Sequence, residues 1–183
     1  MHDEEAVEQY LLTGNIHYFN LLYDRYHNKI YAKCVAMLKH EAKAEDATQE
    51  IFIKILLNIS GFSGKSKFST WIYSITYNFC IDVIRKGTKE AITPLDQHNG
   101  IDIADDDGLD VEILEMNVFR LREVFGIMQV EDKRILLMKY QDDLSIKEIC
   151  EVLNKSESAV KMKILRAKER FMKIYNQQYG VLA

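Results

Sequence analysis

Apolar residues recur every three or four positions along most of this 183-residue chain, which is the spacing of an amphipathic α-helix. The clearest stripe in the first half comprises Ile16, Phe19, Tyr23, Tyr26, Ile30, Cys34 and Met37. The alternation typical of β-strands does not extend over any useful length. A single proline and eight glycines also disfavour a β-sandwich or barrel, because those folds need many tight turns. The sequence therefore predicts an all-α fold.

The segment 89–115 interrupts this pattern and predicts a boundary between two domains. It contains the one proline, Pro94, and from Asp96 to Glu115 it has eight acidic residues and no lysine or arginine. Because like charges repel one another, we expect a flexible acidic linker, with a solvated surface loop as the alternative. The predicted organisation is two small helical domains, 1–88 and 116–183, on either side of this linker.

Charge and composition exclude several classes of protein. The net charge is −4, so any attraction to nucleic acid must come from local basic patches. Cys34, Cys80 and Cys150 form no C-x-x-C pair, which disfavours a disulfide scaffold and a zinc ribbon. The histidines are scattered, and the chain has no glycine-rich phosphate loop and no nucleophile motif. We therefore expect no enzyme, no cofactor, no metal and no small-molecule substrate.

The chain shows no export or membrane signal. Its first 25 residues carry Asp3, Glu4, Glu5 and Glu8 and no long apolar run. The longest apolar stretch, 51–57, is interrupted by Lys54 and is too short to span a bilayer. We therefore expect a cytoplasmic protein.

The C-terminal domain is predicted to contain a helix-turn-helix. Ser145 with Glu148 fits a capping box, and Ser156 can cap a last helix that reaches about Tyr175. The segment from Lys155 to Lys173 contains seven basic and two acidic residues, which gives a local charge of +5. The predicted inward stripe is Val160, Ile164, Ala167, Phe171 and Ile174, and the predicted outward one is Ser158, Lys161, Met162, Leu165 and Arg166. Such a surface suits duplex DNA, although an ordinary helical hairpin with a solvated basic face is the alternative.

Aromatic and basic residues are concentrated between Phe62 and Lys89. Six aromatic residues fall within 62–79, and the local charge over 62–89 is +4. Aromatic faces beside cations suit unpaired bases, although aromatic residues at helical spacing are more often core. The predicted helix runs from Trp71 to about Lys86, with Ser69 or Thr70 as its cap. Its predicted buried stripe is Ile72, Ile75, Phe79 and Val83, and its predicted outward stripe is Trp71, Ser74, Asn78, Ile81 and Arg85.

The preceding helix, predicted over about 42–59, has an unusual outward face. Its inward residues are Ala44, Thr48, Ile51, Phe52, Ile55 and Ile59, and its outward residues are Asp46, Gln49, Glu50, Ile53 and Leu57. Acids beside exposed Ile and Leu favour a protein-binding patch. A carboxylate metal site at Glu45, Asp46 and Glu50 is the alternative, but no histidine lies three or four residues away to complete it.

Three stretches in this order resemble bacterial sigma factors of the extracytoplasmic-function (ECF) group. They are AEDATQEIFIKIL (44–56), FSGKSKFSTWIYSITYN (62–78) and DLSIKEICEVLNKSESAVKMKILRAKERF (143–171). The resemblance implies an all-α protein that binds core RNA polymerase and directs promoter-specific transcription initiation. A stand-alone helix-turn-helix regulator is the alternative, but it would leave the aromatic and basic segment unexplained.

The resemblance also implies a role for each outward face. Asp46, Gln49 and Glu50, with Ile53 and Leu57, match the D-x-x-Q-E surface that binds the clamp helices of the β′ subunit. The residues expected at the promoter −10 element are Phe62, Ser63, Lys65, Phe68, Trp71, Ser74, Asn78 and Arg85. Those expected at the −35 element are Ser156, Glu157, Ser158, Lys161, Met162, Lys163 and Arg166. Further implied partners are the polymerase β flap, promoter DNA and an anti-sigma protein, which in such systems is often membrane-bound.

This chain departs from the family pattern at several positions. Ala47 and Thr48 replace larger aliphatic residues, and Gln129–Val130 stand where Leu-Pro is common. Met162–Lys163 replace the common Ser-Arg in the last helix. These changes leave DNA binding as the expectation, but they make the recognised −35 sequence unpredictable.

Overall fold

The computed structural model describes residues 1–88 and 118–180, and these residues form helices with no β-strand. The prediction of an all-α fold is therefore confirmed. The chain divides into two compact units, Met1–Ile92 and Thr93–Ala183. The predicted linker at 89–115 lies outside the described residues.

Within residues 1–88, the N-terminal unit forms four helices, of which α2 is central. They are α1 (Asp3–Thr13), α2 (Ile16–Leu38), α3 (Glu41–Asn58, extended by a 3₁₀ turn at Ile59–Gly61) and α4 (Phe68–Thr88). Helix α2 packs against each of the other three. Most of its predicted stripe is buried, but Ile16 and Tyr23 are exposed. Leu22, which is next to Tyr23 and was not part of the stripe, is buried. The predicted stripe was therefore wrong at Ile16 and Tyr23.

Helix α1 was not predicted. It buries only two small apolar residues, Ala6 and Val7, while Leu11 and Leu12 remain exposed. It ends at Gly14, whose positive φ of 65° closes the helix with a backbone bond from Gly14 N to Tyr10 O of 2.8 Å. With only two buried apolar residues, the helix shows no clear helical periodicity of apolar residues in the sequence.

Helix α4 begins at Phe68 rather than Trp71, so Ser69 and Thr70 lie inside it and do not cap it. Its buried face is also rotated from the predicted one. Ile81, predicted to face outward, is only 3% exposed, whereas Ile75, Phe79 and Val83 are half-buried. The buried side chains are Phe68, Thr70, Ile72, Tyr73, Thr76, Tyr77, Cys80 and Ile81. The helix packs against both α2 and α3. Its buried face includes Tyr73 and Tyr77, which the predicted stripe did not contain.

The C-terminal unit contains α5 (Val118–Ile127), α6 (Val130–Leu136, continued by a π-helical turn at Leu137–Gln141), α7 (Ile146–Leu153) and α8 (Glu157–Tyr179). The long helix α8 contacts α5, α6 and α7. Its predicted inward stripe is confirmed from Val160 to Phe171, but Ile174 is half-buried and Tyr175 is buried in its place. The helix also extends past its predicted end at Tyr175.

Candidate nucleic-acid and polymerase interfaces

Three aromatic rings cluster where the loop after α3 meets the start of α4. We call Phe62, Phe68 and Trp71 the aromatic corner. Their ring centroids lie 5.4 Å apart for Phe62–Phe68, 5.6 Å for Phe62–Trp71 and 5.6 Å for Phe68–Trp71. Phe68 is 1% exposed, whereas Phe62 and Trp71 are half-buried. Phe68 is thus the floor of the corner, and the other two residues are partly exposed.

The floor of the corner is supported from other helices. The Tyr26 ring on α2 meets Phe68 edge-on, with a centroid distance of 5.9 Å. The backbone N–H of Phe68 donates a hydrogen bond to Glu4 Oε1 of α1 at 3.2 Å. Neither Tyr26 nor Glu4 was among the predicted site residues. Glu4 lies 64 residues from Phe68 in sequence, so no local pattern could have revealed this contact.

The loop beside the corner is polar and exposed. Ser63 and Lys65 are exposed, and Gly64 adopts a positive φ of 68°, which a side chain would strain. Further along α4, Asn78 and Arg85 are exposed, whereas Ser74 is half-buried and donates to the carbonyl of Trp71 at 2.6 Å. Helical spacing therefore places Trp71, Ser74, Asn78 and Arg85 along one side of α4, although Ile81 does not join them.

The outward face of α3 combines acids with exposed apolar side chains. Asp46, Gln49 and Glu50 are exposed, and Ile53 and Leu57 are 56% and 74% exposed. All the predicted inward residues of this helix, from Ala44 to Ile59, are buried. The predicted inward residues of α3 are therefore confirmed as buried, and the predicted outward residues as exposed. No three histidine, cysteine or acidic side chains are placed to hold a metal within 1–88 or 118–180.

Helices α7 and α8 form the predicted helix-turn-helix with local caps. Ser145 Oγ accepts from Glu148 N at 3.3 Å, and Glu148 Oε2 accepts from Ser145 N at 2.9 Å, which confirms the capping box. Asn154 adopts a left-handed conformation with a φ of 50°, which turns the chain sharply. Ser156 Oγ then accepts from Ala159 N at 3.4 Å at the start of α8.

The start of α8 presents a polar and basic surface. Ser156, Glu157, Ser158 and Lys163 are exposed, whereas Lys161, Met162 and Arg166 are half-buried. Lys161 pairs with Glu157 at 3.2 Å, which shields part of its charge.

Two basic residues further along α8 do not extend this surface. Lys168 is only 7% exposed, and Arg170 binds both carboxylate oxygens of Asp132 at 2.8 and 2.9 Å. The basic surface is therefore smaller than the local charge of +5 implied.

Every helix that the structure describes is too short or too polar to span a membrane.

Residues 22–90 match the family described as Sigma-70 region 2, and residues 119–171 match Sigma-70 region 4. The chain is 35% identical over 164 residues to ECF RNA polymerase sigma factor SigW of Bacillus subtilis, covering 82% of this chain and 84% of that protein. It is 30% identical over 176 residues to the ECF RNA polymerase sigma-E factor of Haemophilus influenzae, covering 91% and 92%.

Two solved structures share the fold at low sequence identity. One is the sigma factor RpoE in complex with the anti-sigma factor NepR from Bartonella quintana, with a TM-score of 0.63, 14% identity and coverage of 85% of this chain and 95% of that one. The other is CnrH in complex with the cytosolic domain of CnrY, with a TM-score of 0.65, 17% identity and coverage of 96% and 95%. The matched regions, their order and the extent of the similarity make this chain a member of the family of ECF RNA polymerase sigma factors.

Proposed function

We propose that this chain binds core RNA polymerase and directs it to promoters, where its two units contact different forms of DNA. The observation that carries this proposal is the outward face of α3. It exposes Ile53 and Leu57 beside Asp46, Gln49 and Glu50 on a helix whose other face is already buried. Exposed apolar side chains beside acids suit a protein partner with basic and apolar groups, such as the clamp helices of the β′ subunit.

The aromatic corner is proposed to capture an unstacked base of the −10 element. Phe62 and Trp71 are half-buried and hold their rings beside an exposed loop that carries Lys65. Stacking on an aromatic ring contributes about 1–3 kcal/mol per base, and a lysine nearby can contact the phosphate. Phe68 is buried, so its proposed part is to support these two rings rather than to touch DNA.

The start of α8 is proposed to read the −35 element as duplex. In helix-turn-helix proteins the first residues of the second helix lie nearest the base edges. Here those residues are Ser156, Glu157 and Ser158, followed by Lys161, Met162, Lys163 and Arg166. The serines and charged groups can hydrogen-bond to bases or phosphates, and Met162 offers an apolar contact to thymine methyl groups.

The two contacts are proposed to act together once the chain is bound to polymerase. Fixing both units on one enzyme makes the second DNA contact intramolecular and so raises its effective concentration. Base capture then offsets the cost of opening the duplex, which is about 1–2 kcal/mol per base step. In this mechanism the chain supplies binding energy and no covalent chemistry.

We further propose that an anti-sigma protein regulates this chain. Of the solved proteins that share its fold, RpoE is bound to the anti-sigma factor NepR, and CnrH is bound to the cytosolic domain of CnrY. A partner that covered the α3 face would compete directly with core polymerase, because the exposed Ile53 and Leu57 would be buried in either complex.

The proposal is tested by co-elution of the full chain with core RNA polymerase at low ionic strength. Glu50→Lys is expected to weaken binding by roughly tenfold or more, because it places a cation against a basic partner surface. Glu41→Lys is the matched control, since it makes the same charge change at an exposed position more than one turn before this face and on another side of the same helix. Failure of the wild-type chain to bind would contradict the proposal, and a dimer that binds duplex DNA without polymerase would indicate a stand-alone regulator.

A further inference from the structure

The N-terminus of α4 is capped by a side chain from another helix. Trp71 N donates to Lys67 O at 3.2 Å, so Lys67 occupies the position just before the helix. A lysine side chain has no hydrogen-bond acceptor, and Ser69 and Thr70 lie inside the helix. The N–H of Phe68 is one of the first N–H groups, which have no partner within a helix. Glu4 Oε1 accepts its hydrogen bond at 3.2 Å.

Glu4 is held at this position by the anchoring of α1. Arg25 of α2 pairs with Asp3, and its other terminal nitrogen donates to the carbonyl of Met1 at 3.3 Å. The hydroxyl of Tyr26 also donates to Asp3. One turn further along, Ala6 and Val7 are buried. The first turn of α1 is therefore tied to α2 at Asp3, the residue next to Glu4.

The residue that Glu4 binds is the floor of the aromatic corner. The Phe68 ring lies between Phe62, Trp71 and Tyr26, with centroid distances of 5.4, 5.6 and 5.9 Å. A change in the first turn of α4 would move Phe68 and Trp71 together, because both belong to that turn.

We propose that Glu4 is a positioning residue for base capture: it caps α4 from α1 and thereby fixes Phe68 and Trp71 in the orientation that receives the base. The inference rests on the proposed function of the aromatic corner. It gives the acidic N-terminal helix a role in DNA binding although the acid itself need not touch DNA.

The test uses Trp71, the only tryptophan of the chain, as an internal reporter. We would record Trp71 emission and single-strand affinity for the full chain, with a random-sequence single-stranded DNA dodecamer pool as the probe. Glu4→Ala removes the acceptor, and Glu4→Gln keeps an acceptor oxygen at the same place. Glu8→Ala is the control, since it removes an exposed acid one turn further along α1.

We expect Glu4→Ala to shift Trp71 emission to the red and to weaken single-strand binding by about tenfold, the effect of losing a good helix cap. Glu4→Gln should stay within about twofold of wild type, and Glu8→Ala should resemble wild type, since the cap needs an acceptor rather than a charge. Duplex binding by α8 should be equal in all four proteins.

Two results would overturn the inference. One is a Glu4→Ala protein with wild-type emission and affinity. The other is a Glu4→Gln protein as impaired as Glu4→Ala, because then the acceptor oxygen is not what matters. If the wild-type chain binds no single-stranded DNA, base capture itself fails. In that case the cap is judged by emission alone, where a shift in Glu4→Ala that Glu4→Gln reverses supports it and no shift overturns it.

Discussion

The aromatic corner and the α7–α8 helix pair are both proposed to bind DNA, yet they are built in different ways. The corner presents rings, and its floor is supported by Tyr26 of α2 and Glu4 of α1, which are distant in sequence. The helix pair presents hydroxyls and cations, and both of its helices are capped by their own serines, Ser145 and Ser156. The first depends on tertiary packing and the second on local hydrogen bonds.

This difference follows from what each surface must bind. A splayed-out base needs a pocket with defined walls, and a pocket requires groups from several elements. A duplex major groove accepts a single helix, so the reading surface can be one helix held at its start. Remote changes should therefore impair the corner, whereas the helix pair should respond mainly to changes within itself.

The largest effect is expected from Trp71→Ala, which removes one wall of the corner. Losing a stacking partner costs about 1–3 kcal/mol per base, so promoter opening by the holoenzyme should fall by roughly tenfold or more. Trp71→Phe keeps an aromatic face and should retain most of the opening. Permanganate footprinting of the open promoter measures this, and unchanged footprints in Trp71→Ala would remove the corner from strand capture.

The next effect concerns the helix pair. Lys161→Ala combined with Arg166→Ala should lower the salt dependence of duplex binding by a slope of about 2, because two phosphate contacts no longer release counterions. Lys173→Ala is the control, since this exposed lysine lies two turns further along α8. Affinity measured against salt concentration tests the prediction. An unaltered slope in the double variant would remove this part of α8 from the DNA interface.

A smaller effect is expected from the local cap of α8. Ser156→Ala should destabilise the C-terminal unit by about 1 kcal/mol, whereas Ser156→Asp, which keeps an acceptor, should be close to wild type. Trp71 emission should not change, because the substitution is in the other unit. Urea unfolding followed by circular dichroism measures the stability. A change in Trp71 emission would show that the aromatic corner responds to a change in the C-terminal unit, which contradicts the prediction.

The smallest effect concerns the tie between α1 and α2. Burial, and then the hydrogen bond to Asp3, raise the pKa of Tyr26 above its usual value. A raised pKa stabilises the fold below the pKa of the unfolded chain, about 10, and this contribution is lost as the pH rises above that value. Tyr26→Phe should therefore cost roughly 0.5 kcal/mol at neutral pH and reduce the destabilisation above about pH 10.

Unfolding monitored by Trp71 emission at neutral and alkaline pH tests this prediction. Tyr10→Phe is the control and should keep the alkaline destabilisation of the wild-type chain. Equal alkaline sensitivity in Tyr26→Phe and wild type would show that Tyr26 does not link α1 to α2 in this way.

The same difference decides how much could be predicted from the sequence. The starts of α7 and α8 were predicted correctly because Ser145 and Ser156 cap them through bonds spanning three residues. Both faces of α3 were predicted because its apolar residues from Ala44 to Ile59 recur on one side and its acids lie on the other, so apolar periodicity and burial coincide.

The errors lie where tertiary contacts override local pattern. Helix α4 starts at Phe68 because its cap comes from Glu4, and no rule based on neighbouring residues includes an acid 64 positions away. Its buried face was wrong at Ile81 because apolar and aromatic residues occur on several sides of this helix, so periodicity alone did not decide which of them are buried. Helix α1 was missed because it buries too few apolar side chains to show a period. The polymerase and DNA contacts of the named residues remain predictions.

Run-off transcription by core polymerase on a library of promoter fragments, with and without the purified chain, tests the proposed function most directly. Transcripts of defined length are expected only when the chain is present, with permanganate-reactive thymines just upstream of each start. If the chain binds the polymerase but yields no such transcripts, or if the same transcripts form without it, then it does not direct initiation.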